Sequence, residues 1–448
     1  MKFQGSAYLS IPGNGKPRFQ APCLHYESNY NVRKAYKKLL DQYGLDHIST
    51  VHGRKSNNAR KESIAIIGGG WYGCHLARAL SIRGYPVRIF EANDDLFQGA
   101  SALNTFRLHR GFHYPRSVTT RLQCKQGFEK FVEDYPALSK MQSSAIYAIS
   151  KDLPTSNKGK SVKEGIRFNK YKEIMDESGL NYKDIEATDL IKYQNIEGMV
   201  DTNERTIYVD LPREYFRSVL TGLGVDISYN SRVICLQNKD DGKVDVSYYT
   251  FDKKSIASVK NRTESFDYVI NCTYNTYKPI KDLSATYESC IQLIYSSKVK
   301  NERPFSFSIF DGEFPSIDPF EFYFRPHGSS SKQFYIMSHV KLTPIKKYST
   351  YSEARQHQSS LSKEEIVGLK DDFEKAFQDY FPDFYRYFSY EGYALSIKSK
   401  PNIQKKSEAD FRGVITRQEG NIIHVFSGKI DTIFQAKCDV FNILKRNQ

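Results

Sequence analysis

Ser63-Ile64-Ala65-Ile66-Ile67 is a short apolar run that stops at Gly68-Gly69-Gly70-Trp71-Tyr72-Gly73 and gives way to a helical pattern, Cys74 to Ile82. This order predicts a strand, a glycine turn and a helix. Gly68, Gly70 and Gly73 stand at G-x-G-x-x-G spacing. In such a turn the first glycine permits the tight bend. The second lets the backbone approach a pyrophosphate, and the third lets the helix pack on the strand. The helix N-terminus then offers unpaired N–H groups and the positive end of its dipole to phosphates. A second strand, Pro86 to Phe90, ends in Glu91, 18 residues past Gly73. That is close to the roughly 20 expected of the acid that binds ribose hydroxyls. Glycine spacing alone is weak. Strand, glycines, helix, strand and acid in this order point to a dinucleotide site, the alternative being a purely structural βαβ turn.

The rest of the composition narrows the class. A chain of 448 residues, 40% hydrophobic, has ample material for two or three packed domains. The net charge of +14 is concentrated at the start, where residues 1–62 carry eleven Lys and Arg against four Asp and Glu. Such a segment is either a packed appendage or a partner-binding arm, and nucleic acid is a possible but not favoured partner beside general solvation by lysines. No stretch approaches the roughly 18 apolar residues of a membrane span, and Met1 to Gln20 lack a signal-peptide core. Seven scattered cysteines, never spaced C-x-x-C, argue against a disulfide framework or a structural zinc site and for a reducing cytoplasm.

Periodicity assigns further elements. Helices are expected at Val32 to Tyr43, Thr119 to Tyr135, Leu211 to Leu223, Ser362 to Tyr380 and Asp431 to Leu444. Ser362 with Glu365 reads as a capping box. Strands are expected at Ser144 to Ser150, Thr206 to Val209, Phe266 to Asn271 and Asn421 to Phe426, with a hairpin of Arg232 to Leu236 and Lys243 to Thr250. Lys151 to Lys163 reads as a polar loop. Ile291 to Lys298, Phe305 to Ile309, Phe320 to Arg325 and Phe334 to His339 read as an antiparallel sheet.

Together these segments resemble the FAD-dependent oxidoreductases of the D-amino acid oxidase type, from about Ser63 to the C-terminus, especially the amino acid oxidase and L-2-hydroxyglutarate dehydrogenase branches. The resemblance rests on the glycine turn with Glu91. It rests also on Ser101, Asn104, His109, Gly111, Phe112, His113 and Tyr114, in the order of a family segment that passes under the flavin. The strand Phe266 to Thr273 looks like the one that returns to the cofactor, except that Thr273-Tyr274-Asn275 replaces the usual Ala-Gly. Val425 to Thr432 is similar to the final strand-to-helix turn at the flavin. The resemblance implies an α/β (α+β overall) fold, with a Rossmann-like FAD-binding domain of glutathione-reductase type interleaved with an antiparallel-sheet substrate domain. It places the basic extension at 1–62, the FAD domain at 63–141, 200–280 and 390–448, and the substrate domain at 142–199 and 281–389. It implies cofactor contacts from Gly68, Gly70, Trp71, Tyr72, Gly73, Glu91, Ser101, Asn104, Arg107, Leu108, His109, Val233, Thr273, Gly428, Lys429 and Ile430, and it needs no metal.

The implied reaction removes a hydride from a CH–NH or CH–OH carbon of a small anionic substrate, with FAD as acceptor. His109, then His113, is the candidate proton acceptor, because imidazole titrates near neutrality; the plain alternative is a ring that only hydrogen-bonds backbone. Arg116, Arg325 and Arg412 are candidate anion clamps, Arg325 foremost as the end of an alternating strand. Tyr323 and Tyr335 are candidates to cover the substrate. Other readings are a flavoenzyme acting on a larger RNA- or carrier-linked anion, and a non-catalytic flavin-binding sensor. Substrate, electron acceptor and oligomeric state leave no readable motif.

Overall fold

The computed structural model describes residues 9–10, 61–151, 166–186, 191, 193–252, 255–299, 303–310, 315–324, 332–402 and 412–446. The expected helix Val32 to Tyr43, nearly all of the Lys151 to Lys163 loop, and Arg325 lie outside them.

Two large sheets organise the chain. The first has six strands in the order Asp226–Ser228, Val87–Phe90, Ile64–Ile67, Tyr268–Asn271, Ile422–Phe426 and Ile415–Glu419. All neighbours run parallel except the last pair, which is antiparallel. Ile64–Ile67 and Tyr268–Asn271 are buried at every position, as central parallel strands require. The helix Trp71–Ile82 packs on this sheet beside the terminal helix Ile433–Arg446. The glycine turn therefore opens at the carboxyl ends of the parallel strands, where open α/β sheets bind ligands.

Among the described residues the second sheet has ten strands, one of which, Pro344–Tyr348, pairs with Ala285–Ser297 off the main path. Ala285–Ser297 and Phe388–Pro401 form its longest ladder, followed by Phe334–His339, Pro315–Pro319, Phe305–Phe310, Ser144–Ser150, Ile196–Thr202 and Lys183–Ile185. Leu9–Ser10 extends it at one edge by pairing with Tyr393 and Ala394. The sheet is mixed rather than wholly antiparallel, because Phe305–Phe310 runs parallel to Ser144–Ser150. Residues 390–401 belong to this sheet, beyond the boundary at 389 that the sequence suggested. The helix Lys363–Gln378 covers it through Ile366, Phe373 and Phe377, and starts at the expected capping box of Ser362 and Glu365.

The expected strand Phe320 to Arg325 does not form; the strand is Pro315–Pro319. The amides of Tyr323 and Phe324 instead donate to the two oxygens of Asp210, each at 2.9 Å, and the Glu321 carbonyl accepts from Val209. Those bonds to an irregular segment replace a ladder. The expected hairpin is a three-stranded sheet, Ser231–Asn238, Val244–Asp252 and Ser255–Phe266. A second small sheet joins Arg107–Leu108, Arg205–Ile207 and Ser139–Met141.

Candidate functional site

The glycine turn is shaped by its own steric demands. Gly68 has φ +102°, a conformation costly for any side chain, and a Cβ there would lie 3.0 Å from the Cys272 carbonyl oxygen. A Cβ at Gly73 would collide with the Gly68 carbonyl, so helix and strand approach only through glycine. The helix begins at Trp71, earlier than the pattern suggested, and Gly70 supplies no side-chain cap. Ser101 Oγ stands before this N-terminus and accepts from the Trp71 amide at 3.2 Å. A helix N-terminus favours an anion placed before it.

Glu91 follows the second strand and is buried. One oxygen accepts from the Gly69 amide at 2.6 Å, and the other from the amide and side chain of Asn93 at 2.9 and 2.7 Å. Burial raises its pKa, and these bonds oppose the shift. The acid therefore braces the glycine turn from inside while lining the cavity beside it.

That cavity measures about 800 Å³, toward the upper end of ordinary ligand pockets. Of the residues implied by the resemblance, Gly68, Gly70, Trp71, Tyr72, Glu91, Ser101, Asn104, Arg107, His109, Val233, Thr273, Gly428, Lys429 and Ile430 line it. Gly73 and Leu108 do not: Gly73 packs behind the turn and Leu108 is fully buried in the core. The Trp71 indole is itself mostly core, edge-on to Phe97, Phe131 and Phe216. Tyr72 ties together two of the turns that line the cavity. Its hydroxyl oxygen lies 2.6 Å from the Lys429 carbonyl and from Thr432 Oγ1, and accepts from the Gly428 amide at 3.1 Å.

Thr273-Tyr274-Asn275 makes its close approach without the usual glycine. Tyr274 and Asn275 take left-handed φ values of +58° and +61°. Asn275 is held there by Tyr287, whose hydroxyl donates to its carbonyl at 2.7 Å, and by the Ile280 amide on its side-chain oxygen. Asn271 secures the same loop by accepting from the amide and hydroxyl of Thr273. Thr273 and Tyr274 consequently line the cavity.

The Ser101 to Ser117 segment delivers a buried polar cluster. Arg107 donates to Asp318 at 2.7 Å through Nε, and its Nη2 lies 2.6 Å from the same oxygen. Its guanidinium sits 5.0 Å from the centroid of Tyr147 and 3.9 Å from Glu204. Glu204 is wholly buried; it accepts from the Tyr147 hydroxyl at 2.8 Å and the Arg110 amide at 2.7 Å. Burial alone would raise its pKa, but His109, Arg107 and the Arg110 amide outweigh that and hold it low. Burial pushes Asp318 up to about 6 against the pull of Arg107. His109 Nδ1 lies 3.3 Å from the Tyr147 hydroxyl and 3.7 Å from Glu204. Burial, then Lys429, pushes its pKa down to about 4, with Glu204 opposing, so the ring is neutral at neutral pH. His113 packs beside it, ring centroids 5.4 Å apart, but is not among the residues lining the cavity. Lys429 holds its ammonium 4.0 Å from the centroid of Tyr114. Burial works against that charge, and Tyr114, Cys124 and Asp431 outweigh it.

A basic wall closes another part of the cavity. It carries Lys398 and Lys400 from the long strand Phe388–Pro401, Arg355 from the helix Tyr351–Ser360, and Arg412. Burial lowers the pKa of Lys400; Glu288, 2.7 Å away, opposes this, and Arg412 and Lys398 add to it. Among the described residues, Arg412 lines the cavity and Arg116 does not, while Arg325, the other expected clamp, lies outside the described residues. Tyr323 and Tyr335 are not cover residues either, since Tyr335 is core and Tyr323 packs on Tyr208. Glu204, Asp318, Lys398, Lys400 and Arg355 carried no sequence signal, because only the pairing of distant strands, and for Arg355 the packing of its helix on them, brings them to this place.

The parallel sheet, its glycine turn and a cavity shared with a second sheet define a dinucleotide-dependent enzyme of α/β type. The chain belongs to the FAD-dependent oxidoreductase (DAO) family, whose profile matches residues 63–394. It is 33% identical over 382 residues to the FAD-dependent monooxygenase FPY4 of Fusarium mangiferae, covering 85% of this chain and 91% of that one. It is 30% identical over 395 residues to the FAD-dependent monooxygenase kojA of Aspergillus flavus, covering 85% of each. Its fold is similar to NikD, an unusual amino acid oxidase essential for nikkomycin biosynthesis, at TM-score 0.59, with 14% identity and coverage of 85% and 94%. It is similar also to glycine oxidase from Geobacillus kaustophilus, at TM-score 0.58, with 11% identity and coverage of 87% and 95%. The protein is an FAD-dependent oxidoreductase. The helix N-terminus at Gly70, which lines the cavity with no side chain of its own, and the size of the cavity fit that cofactor. Among the described residues, no helix is long and apolar enough to cross a membrane.

Proposed function

We propose that the enzyme removes a hydride from a CH–NH or CH–OH carbon of a small anionic substrate. The single observation that supports this most is the meeting, in one cavity, of a neutral imidazole at His109 with the basic wall of Lys398, Lys400, Arg355 and Arg412. Four cations on one wall, with Lys400 depressed by burial and then by Arg412 and Lys398, gain most from an anion that neutralises them. FAD, when bound along Gly68 to Tyr72, Glu91 and the Gly428 to Ile430 turn, supplies the two-electron acceptor. The chain's own residues do the rest. Lys398, Lys400 and Arg412 hold the substrate anion and set which carbon is presented. His109 takes the proton released from the substrate N–H or O–H as the carbon–heteroatom double bond forms. We further place the protein in a reducing cytoplasm, in keeping with its six described cysteines, all free thiols.

A second reading, oxygen insertion, is favoured by the names of FPY4 and kojA. One experiment separates the two. The yellow holoenzyme is mixed anaerobically with small carboxylated or phosphorylated amines and hydroxy acids, and bleaching is followed. Bleaching without oxygen, yielding an imine-derived or ketone product, supports hydride removal. Turnover only with oxygen, with ¹⁸O from O₂ in the product, replaces that reading with the second.

A further inference from the structure

Glu204 is a fully buried carboxylate with no place in the cofactor-binding turn. It sits at the end of a chain of polar atoms that begins at His109. Tyr147 has one hydroxyl proton, and its oxygen lies 2.8 Å from Glu204 Oε2, which can only accept. That proton is therefore committed to Glu204. The Tyr147 oxygen then faces His109 Nδ1 at 3.3 Å as an acceptor, with the same Glu204 oxygen 3.7 Å from Nδ1. Both acceptors call for hydrogen on Nδ1, which leaves Nε2 as the basic nitrogen of the ring. Glu204 is fixed in turn by the Arg110 amide on its other oxygen and by Arg107 at 3.9 Å. A buried charge costs stability, so a carboxylate this deep is a poor device for holding a fold together.

We propose that Glu204 and Tyr147 are positioning residues that lock His109 in its Nδ1–H tautomer, so that Nε2 is the atom that takes the substrate proton. This rests on the proton-accepting role of His109 proposed above. When Nε2 gains that proton, Nδ1–H stays on the Tyr147 oxygen and the Tyr147 proton stays on Glu204. No further proton moves, and the charge of Glu204 steadies the imidazolium through the hydroxyl.

The test is ¹⁵N NMR of histidine-labelled, FAD-loaded protein, with His109→Asn to assign the signal. The unaltered enzyme is expected to show His109 as the Nδ1–H tautomer, constant from pH 8 to 6. Glu204→Gln places an amide donor in the chain, and Tyr147→Phe removes its link. Either is expected to shift His109 toward Nε2–H and to slow anaerobic bleaching by an active amine or hydroxy acid 10- to 100-fold at full FAD content. A purely structural role would lower FAD content or melting temperature and leave the tautomer alone. If Glu204→Gln does not fold, Tyr147→Phe decides. An Nε2–H tautomer in the unaltered enzyme, or an unchanged tautomer in the folded variants, overturns the proposal. Bleaching at the normal rate in His109→Asn would overturn the role of His109 instead, and the tautomer result would stand by itself.

Discussion

Neutral imidazoles mark this molecule at the scale of single residues. His75, His109 and His113 all have pKa values lowered, first by burial, then by nearby cations for His75 and His109 and by His109 and then Lys429 for His113. The folded state binds fewer protons than an unfolded chain with His near 6.5. Their contribution to stability is thus complete above about pH 6.5 and is lost as pH falls from there toward 4. Asp318, raised to about 6, acts in the opposite sense, as do the raised carboxyls of Glu91, Asp210 and Asp431, while the lowered His357 and His424 act with the three imidazoles. Urea unfolding at pH 7.5, 6.0 and 5.0 should show stability declining through this window, and His109→Asn should flatten the decline. A pH dependence that does not change in that variant would contradict a neutral, buried His109. On the basic wall, Lys400→Met should raise KM for an anionic substrate at least 10-fold while bleaching at saturation changes little, since the charge binds substrate in ground and transition state alike. His109 and Arg412 were legible as candidates from their residue types. Lys398 and Lys400 were not, because two lysines in a polar run look the same whether they face solvent or a cavity.

At the scale of elements, the glycines of the turn divide by what each one prevents. A Cβ at Gly73 meets backbone that cannot move, whereas one at Gly70 meets only Ser101 Oγ at 2.8 Å, a side chain that can rotate. Gly73→Ala should therefore cost about 3 kcal/mol or more in stability, by overpacking. Gly70→Ala should fold and melt nearly normally but bind FAD at least 10-fold more weakly, as read by flavin fluorescence on titration. Equal effects in the two variants would refute the division. The capping box of the helix Lys363–Gln378 is a quieter case. Ser362 accepts from the Glu365 amide at 3.1 Å, and Glu365 accepts from the Ser362 amide at 2.7 Å. Ser362→Ala should cost about 1 kcal/mol in urea unfolding, without altering FAD content. Such elements are readable because their signals are local. The failed strand at Phe320 to Arg325 alternated correctly, but Asp210, more than a hundred residues away, took its amides.

Across the whole molecule, the buried pair Arg107–Asp318 fastens the small sheet of Arg107–Leu108 to the large sheet through Pro315–Pro319. Asp318→Ala should destabilise by about 3–5 kcal/mol, because it strands a buried guanidinium. Changing both partners to apolar residues, Arg107→Met with Asp318→Leu, should recover much of that loss. A double change as costly as the sum of the single ones would show that the pair does not act as a unit. The sequence by itself determined the strand, glycine turn and helix, and the capped helix. Each of these follows from backbone sterics and hydrophobic period over a few neighbouring residues. Only the tertiary structure decided the parallel pair inside the larger sheet, the place of strand Phe388–Pro401, the chain from His109 through Tyr147 to Glu204, and the basic wall. Those depend on which distant strands pair and in what register, and a one-residue slip would turn every side chain to the opposite face.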